Sequence, residues 1–282
     1  MPVPTGIAAG SSAADLTSQL VDVWGELALL GREIADTEWH APSPCPGWDV
    51  SAQYAHVIGT ESMLLGRPNP EVDPGKPDHI RNDIGGFNEV WVAALAGRSR
   101  EEVLDDFEEV TSERTKVLKA MTEEDFSAPA WTPVGQADYR RFMQIRVFDC
   151  WVHEQDVRDG IGRPGGESGP VAEQSVDEIV RALGFVVGKK AGLPAESTVS
   201  FRLTGPVKRN LDVAAVDGRA KVVPSLDGPA TATLSLSSSA FCRLACGRVS
   251  AESVLNGAFG GVEMSGDADL GRRVLSNLAF TI

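Results

Sequence analysis

The chain has no apolar run approaching the roughly 18 residues that a membrane span requires, so no transmembrane segment is expected. Its opening stretch, MPVPTGIAAGSSAAD, lacks a basic segment followed by an apolar one. It does not read as a secretory signal but as a short lead-in to the first helix, and a cytoplasmic location is the expectation. Basic residues are outnumbered: 26 Lys and Arg stand against 40 Asp and Glu, giving a formal charge of −14 at pH 7. Nucleic acid and anionic lipid both need a basic face, so neither is expected as the main partner. A small-molecule ligand or a protein partner fits this balance better. Cysteine is sparse, with Cys45, Cys150, Cys242 and Cys246 too loosely spaced for a disulfide framework or a four-thiolate zinc site. Cys242 and Cys246, one helical turn apart, read as small buried residues.

What is present reads as a globular protein. The 282 residues are 42% hydrophobic and 23% charged, enough for two domains of ordinary size. The first two thirds carry helical periodicity. Amphipathic stretches predict helices over 15–36, 49–66, 87–96, 99–121, 138–160 and 170–191. Asp49 is placed to cap the second, and Ser99 with Glu102 to form a capping box on the fourth. SPCPGW breaks the chain between the first two helices, and RPNPEVDPGKPDH must be a surface loop. After AGLPAES the pattern changes to short segments rich in Val, Leu and Thr, at 197–204, 211–216, 219–223 and 230–236. Asp217-Gly218 is a tight-turn signal between two of them. A helix over 239–247, a strand VEMSG and a helix over 268–277 complete the chain. The expectation is an α+β protein, with a helical bundle over 1–192 and a smaller α+β domain over 193–282.

The segment RRFMQIRVFDCWVHEQDVRDGIGRP carries the chemistry. At 100° per residue, Phe142, Ile145, Asp149, Val152, His153 and Asp156 share an arc of about a quarter turn. A buried, unpaired carboxylate costs several kcal/mol by typical estimates (~2–7), so something must compensate for it. Asp149 and His153 stand one turn apart, close enough to converge on one ion. A salt bridge to a buried arginine or an Asp–His hydrogen bond accounts for the pair equally well. His56, on the helix from Asp49, lies off the apolar stripe of Val50, Tyr54, Val57, Ile58 and Leu65, beside Ala52, Gly59 and Met63. Small neighbours suggest close approach of another helix, with the imidazole in the gap; the plainer reading is a solvated histidine. Glu61, on the stripe itself, reads as half of a buried ion pair. His40 and His79 have no acid or histidine at ligand spacing and are left out of the site.

SPCPGWDVSAQYAHVIGTE and VFDCWVHEQDVRDGIGRPGG together resemble the mycothiol-dependent maleylpyruvate isomerase family, among the DinB-like metal-binding helical bundles. LTGP, LDGPATATLSL, GRV and SGDADLGRRVLSNLAF resemble that family's C-terminal domain, which is similar to a sterol-carrier fold. The resemblance implies a four-helix bundle followed by that domain. It implies a divalent metal, usually zinc, held by His56, Asp149 and His153, with mycothiol as thiol cosubstrate. The isomerases carry glutamate at the position of Asp149, and the shorter side chain requires the ion or the helix to sit closer. Asp156 has no ligand counterpart and is assigned to the surroundings of the ligands. Three ligands leave room for substrate, as in catalytic zinc sites. The implied chemistry is an isomerase or S-transferase in which a metal-bound thiolate attacks a small electrophile. Arg243 and Arg248 are the arginines that the C-terminal domain would contribute to catalysis. Two alternatives stay open. One is a non-catalytic metal- or ligand-binding protein; the other is a thiol-independent metal hydrolase with Asp156 or Glu61 as base.

Overall fold

The protein is described by a computed structural model for residues 3, 5, 6 and 10–281. The expected N-terminal lead-in lies partly outside these residues. Two compact units are found: Ser11–Gly166, and Glu167–Thr281 together with the described residues before Ser11.

The first unit is built on four long helices: α1 (Ala13–Glu33), α2 (Val50–Leu64), α4 (Arg100–Ala120) and α6 (Tyr139–Gly160). α1 packs on α4 and α6, and α2 packs on α4, α6 and the shorter α3 (Asp83–Leu95). Local signals set the starts of these helices. Ser12 and Asp15 form a capping box on α1, Asp49 caps α2, Ser99 and Glu102 box α4, and Asp138 caps α6. Leu16, Leu20, Val23, Leu27 and Leu30 make the buried face of α1. Tyr54 of α2 reaches across the core, its hydroxyl donating to the Leu27 carbonyl at 2.9 Å and its ring lying edge-on to Phe107. A one-turn helix α5 (Glu123–Phe126) and a hairpin of β1 (Pro129–Thr132) and β2 (Gly135–Asp138) join α4 to α6. Neither was expected; four-residue elements are too short to show a period.

Buried charge on α6 gives this unit a pH signature. Glu154 is 2% exposed, and burial raises its carboxyl to about 7 despite Arg158, whose Nε donates to it at 2.7 Å. In the unfolded chain the group ionises near 4.5. Between these values the unfolded chain has released a proton that the folded chain keeps. Stability should therefore fall as pH rises through this window and level off above it. Urea midpoints across the window check this. The fall should flatten in Glu154→Gln, and an equal slope in both proteins would refute the assignment.

The second unit begins with α7 (Pro170–Phe185), which widens into a π-helical turn over Val186–Lys190. It continues with β3 (Thr198–Thr204), β4 (Arg209–Val216), β5 (Arg219–Val223), β6 (Ala232–Ser237), α8 (Ser238–Ala245), α9 (Ala251–Leu255), β7 (Val262–Gly266) and α10 (Ala268–Ser276). The sheet order is β5-β4-β3-β6-β7, with β3 and β6 parallel and every other pair antiparallel. Alternation places Val199, Phe201, Leu203, Leu211, Val213, Leu234 and Leu236 in the core, where α7, α8 and α10 cover the sheet. The division of the chain thus falls at Gly166–Glu167, not near residue 193. The reason is α7. Its stripe of Val176, Ile179, Val180 and Leu183 is buried in this unit, and Gly184 and Gly188 allow the β5 backbone and side chain at Ala220 to come close.

Candidate metal centre

The centre is assembled from α2, α6 and the loop before α2. In the loop, Ser43 Oγ donates to the Trp48 carbonyl and accepts from the Cys45 amide. Gly47 has a left-handed backbone (φ +82°), and a Cβ there would run into the His79 ring. His79 Nε2 and Trp48 Nε1 both reach Glu89 Oε2, at 2.9 and 3.0 Å. This clamp holds the Trp48 indole beside both His56 and His153, with ring centroids 5.4 and 5.7 Å away.

His56 is 5% exposed, so the solvated reading fails. α2 is buried on nearly every side because α3 covers the face that the sequence left weak; Gly59 there sits directly against Trp91. Opposite His56, α6 presents Asp149 and His153. His56 Nε2 lies 3.0 Å from Asp149 Oδ2, and His153 Nε2 lies 3.6 Å from Asp149 Oδ1. One ligand atom from each of the three falls within 4.8 Å of the others. The ring of His153 is oriented from behind. Gln53 Nε2 donates to Ser43 Oγ and to the Asp49 carbonyl, which turns Gln53 Oε1 toward His153 Nδ1 at 2.6 Å. With Nδ1 donating to Gln53 Oε1, Nε2, on the side of Asp149, is the nitrogen left for a metal once it is deprotonated.

The salt bridge allowed from sequence is also present. Arg146 bonds Asp149 Oδ2 through Nη1 and Glu61 Oε1 through Nη2. Glu61 in turn accepts from Arg114 Nε at 2.9 Å, and Arg114 Nη2 donates to the Tyr139 hydroxyl. Two acids and two arginines thus balance one another. Asp149 Oδ2 is taken by this network, which leaves Oδ1 for an ion. Two imidazoles and one carboxylate oxygen suit zinc, and nickel, iron and manganese accept the same set.

The chain carries both halves of a described two-domain family. Residues 20–158 match the mycothiol maleylpyruvate isomerase N-terminal domain, and residues 173–273 match the C-terminal domain of the same family. The chain belongs to the mycothiol maleylpyruvate isomerase family. Two crystal structures of the mycothiol-dependent maleylpyruvate isomerase, one of a mutant, share its fold. Each is 16% identical, spans 90% of this chain and 93% of the other, and has a TM-score of 0.56. Uncharacterized proteins from two strains of Mycobacterium tuberculosis are 27% identical over 156 residues. That alignment covers 54% of this chain and 57% of the relatives.

Against the family pattern, several residues gain defined places. Burial works to raise the Asp149 carboxyl, but His56 and Arg146 beside it hold it well below the usual carboxylate range. Burial lowers the His56 pKa. It works the same way on His153, where hydrogen bonds to Asp149 and Asp156 outweigh it and leave the pKa raised. Asp156 Oδ2 is 3.4 Å from His153 Nδ1, consistent with a place behind the ligands. His40 bonds Asp49 at 2.8 Å, and neither it nor His79 joins a ligand group among the described residues. Arg243 and Arg248 lie in the second unit. Arg243 is 6% exposed, held by Glu167 at 2.5 Å and by the Phe259 ring, while Arg248 Nη1 donates to the Cys246 carbonyl. Cys45, Gln53 and Arg146 were not singled out from sequence. Arg146 had a visible signal, since it stands three residues before Asp149 on the same helix. No helix among the described residues is long and apolar enough to cross a membrane.

Proposed function

We propose that this chain is a metal-dependent enzyme of the isomerase or S-transferase type. Mycothiol is its thiol cosubstrate, a small electrophile its substrate, and His56, Asp149 and His153 the ligands of one zinc ion. The observation that carries this reading is the convergence of these three ligand atoms within 4.8 Å, inside the region matching the family's N-terminal domain. A divalent ion held there supplies one thing: it lowers the pKa of a thiol that coordinates it, so a thiolate is available at neutral pH.

The chain's own residues do the rest. His56 and His153 are buried, whereas the Asp149 side chain is 29% exposed, so the centre opens beside Asp149. Trp48 walls one side and limits water around the rings. Gln53 keeps the His153 Nε2 lone pair turned inward, and Arg146 keeps Asp149 ionised and monodentate. Arg243 and Arg248, in the second unit, remain the proposed catalytic arginines.

Isomerisation and transfer differ in their thiol balance. In isomerisation the thiolate adds to an alkene, the bond rotates and elimination returns the thiol. In transfer the thioether leaves with the thiol. The test is to incubate metal-loaded protein with mycothiol and a panel of electrophiles, following thiol and product together. Turnover that needs both metal and mycothiol is expected. Absence of such turnover, or ester hydrolysis without added thiol, would overturn the reading.

A further inference from the structure

A second donor set shares His153 with the first. Cys45 Sγ, a ring nitrogen of His153 and a carboxylate oxygen of Asp156 also lie within 4.8 Å of one another. We propose that these three residues form a second cation position, selective for a thiophilic divalent ion such as zinc or cadmium, beside the one on His56, Asp149 and His153.

On α6, Asp149, His153 and Asp156 stand at i, i+4 and i+7, so His153 is flanked by a carboxylate above and below it. The two acids address different nitrogens of the ring, Asp149 Oδ1 facing Nε2 at 3.6 Å and Asp156 Oδ2 facing Nδ1 at 3.4 Å. Nδ1 also faces Gln53 Oε1 at 2.6 Å. The Nδ1 proton therefore sits among oxygen donors, as a cation would.

Cys45 adds the selectivity. Its position is set by the loop: its amide donates to Ser43 Oγ, the atom that also orients Gln53, and the Gly47–His79 clamp holds the loop's far end. Thiolate is a soft ligand that favours zinc or cadmium over manganese or magnesium, whereas the first set offers only nitrogen and oxygen. Gln53 Oε1, at 2.6 Å, must give up Nδ1 to the ion, and binding would release the Cys45 thiol proton and the His153 Nδ1 proton; with the first ion on Nε2 the ring bridges as imidazolate, which joins the thiolate and the carboxylate in neutralising the charge. The inference shares His153 with the functional reading above but none of its thiol chemistry.

Cobalt(II) titration of the full, metal-stripped chain tests it. The native protein should develop a sulfur-to-cobalt charge-transfer band in addition to ligand-field bands. Cys45→Ser should abolish the charge-transfer band and keep the ligand-field bands. Asp156→Asn should weaken the ion that gives this band by more than about 100-fold, beyond the loss expected for a group that only orients a ligand. His56→Ala should do the reverse of Cys45→Ser, keeping the sulfur band while losing the other ion. No sulfur band in the native protein, or one that survives Cys45→Ser, would overturn the proposal. Failure of the enzymatic reading would show separately, as intact bands with no thiol-dependent turnover.

Discussion

Glu61→Gln is expected to lower the unfolding free energy by about 3–5 kcal/mol, the usual cost of removing one partner from a buried ion pair. Glu61 and Arg114 are each 1% exposed and Arg146 is 3% exposed. Glutamine preserves the size of the side chain, and its amide oxygen still accepts a hydrogen bond, so the loss reports charge more than packing. Two guanidinium groups would then share the single negative charge of Asp149. Arg114 is the worse placed, since among the described residues its side chain otherwise hydrogen-bonds only the Tyr139 hydroxyl and the Met143 sulfur. Cutting the Arg32–Glu108 pair, whose side chains are 39% and 46% exposed, should cost at most about 1 kcal/mol. Urea unfolding of the two variants side by side makes the comparison. A loss below about 1 kcal/mol in Glu61→Gln would mean that water or relaxation already screens the network. Arg114→Met combined with Glu61→Gln should recover part of the loss, because the orphaned cation is removed along with its partner.

The same network shows where reading from sequence succeeds and where it stops. Helical period placed Asp149, His153 and Asp156 on one arc of α6, and that arc does face the core. The rule that a buried carboxylate needs a partner was sound as well, but both proposed partners proved present: Asp149 contacts Arg146 and two histidines. Period assigns a residue to a face; it does not say which helix covers that face. This is why the sequence allows His56 either a gap beneath a neighbouring helix or a solvated face, and α3, closing over Gly59, decides for the gap. It is also why α7, amphipathic like the bundle helices, was assigned to the bundle although its stripe covers the sheet. Cys45 lies in a loop, where no period operates. Its approach to His153 and Asp156 depends on the left-handed turn at Gly47 and the reach of Ser43, neither of which a single sequence displays. The motif PCPGW was informative as a resemblance, and its physical content became legible only with His79 and Glu89 in place.

His153→Ala is expected to weaken divalent metal binding at the position of His56, Asp149 and His153 by more than about 100-fold, and His56→Ala by a comparable factor at that same position. The bound follows from an asymmetry between ligands and the groups behind them. Loss of a partner that merely orients a ligand costs about 10- to 100-fold in affinity, so loss of the ligand must cost more. Gln53→Leu supplies that reference within this protein, since Gln53 touches His153 Nδ1 and is not counted among the ligands. Its expected loss lies inside the 10- to 100-fold range. Proton competition distinguishes the two histidines further. Ligands must shed protons before they bind, so affinity falls as pH falls. Hydrogen bonds to Asp149 and Asp156 raise the His153 pKa, while burial lowers that of His56. On acidification His153 therefore takes up its proton first and dominates the onset of metal release. In His56→Ala that onset should stay where it is in the native protein. Zinc competition against a chelating dye, repeated across the pH range, gives both quantities. Stoichiometric metal retained by both alanine variants would place the ion elsewhere, and retention by His56→Ala alone, with its sulfur-to-cobalt band intact, would place it on Cys45, His153 and Asp156.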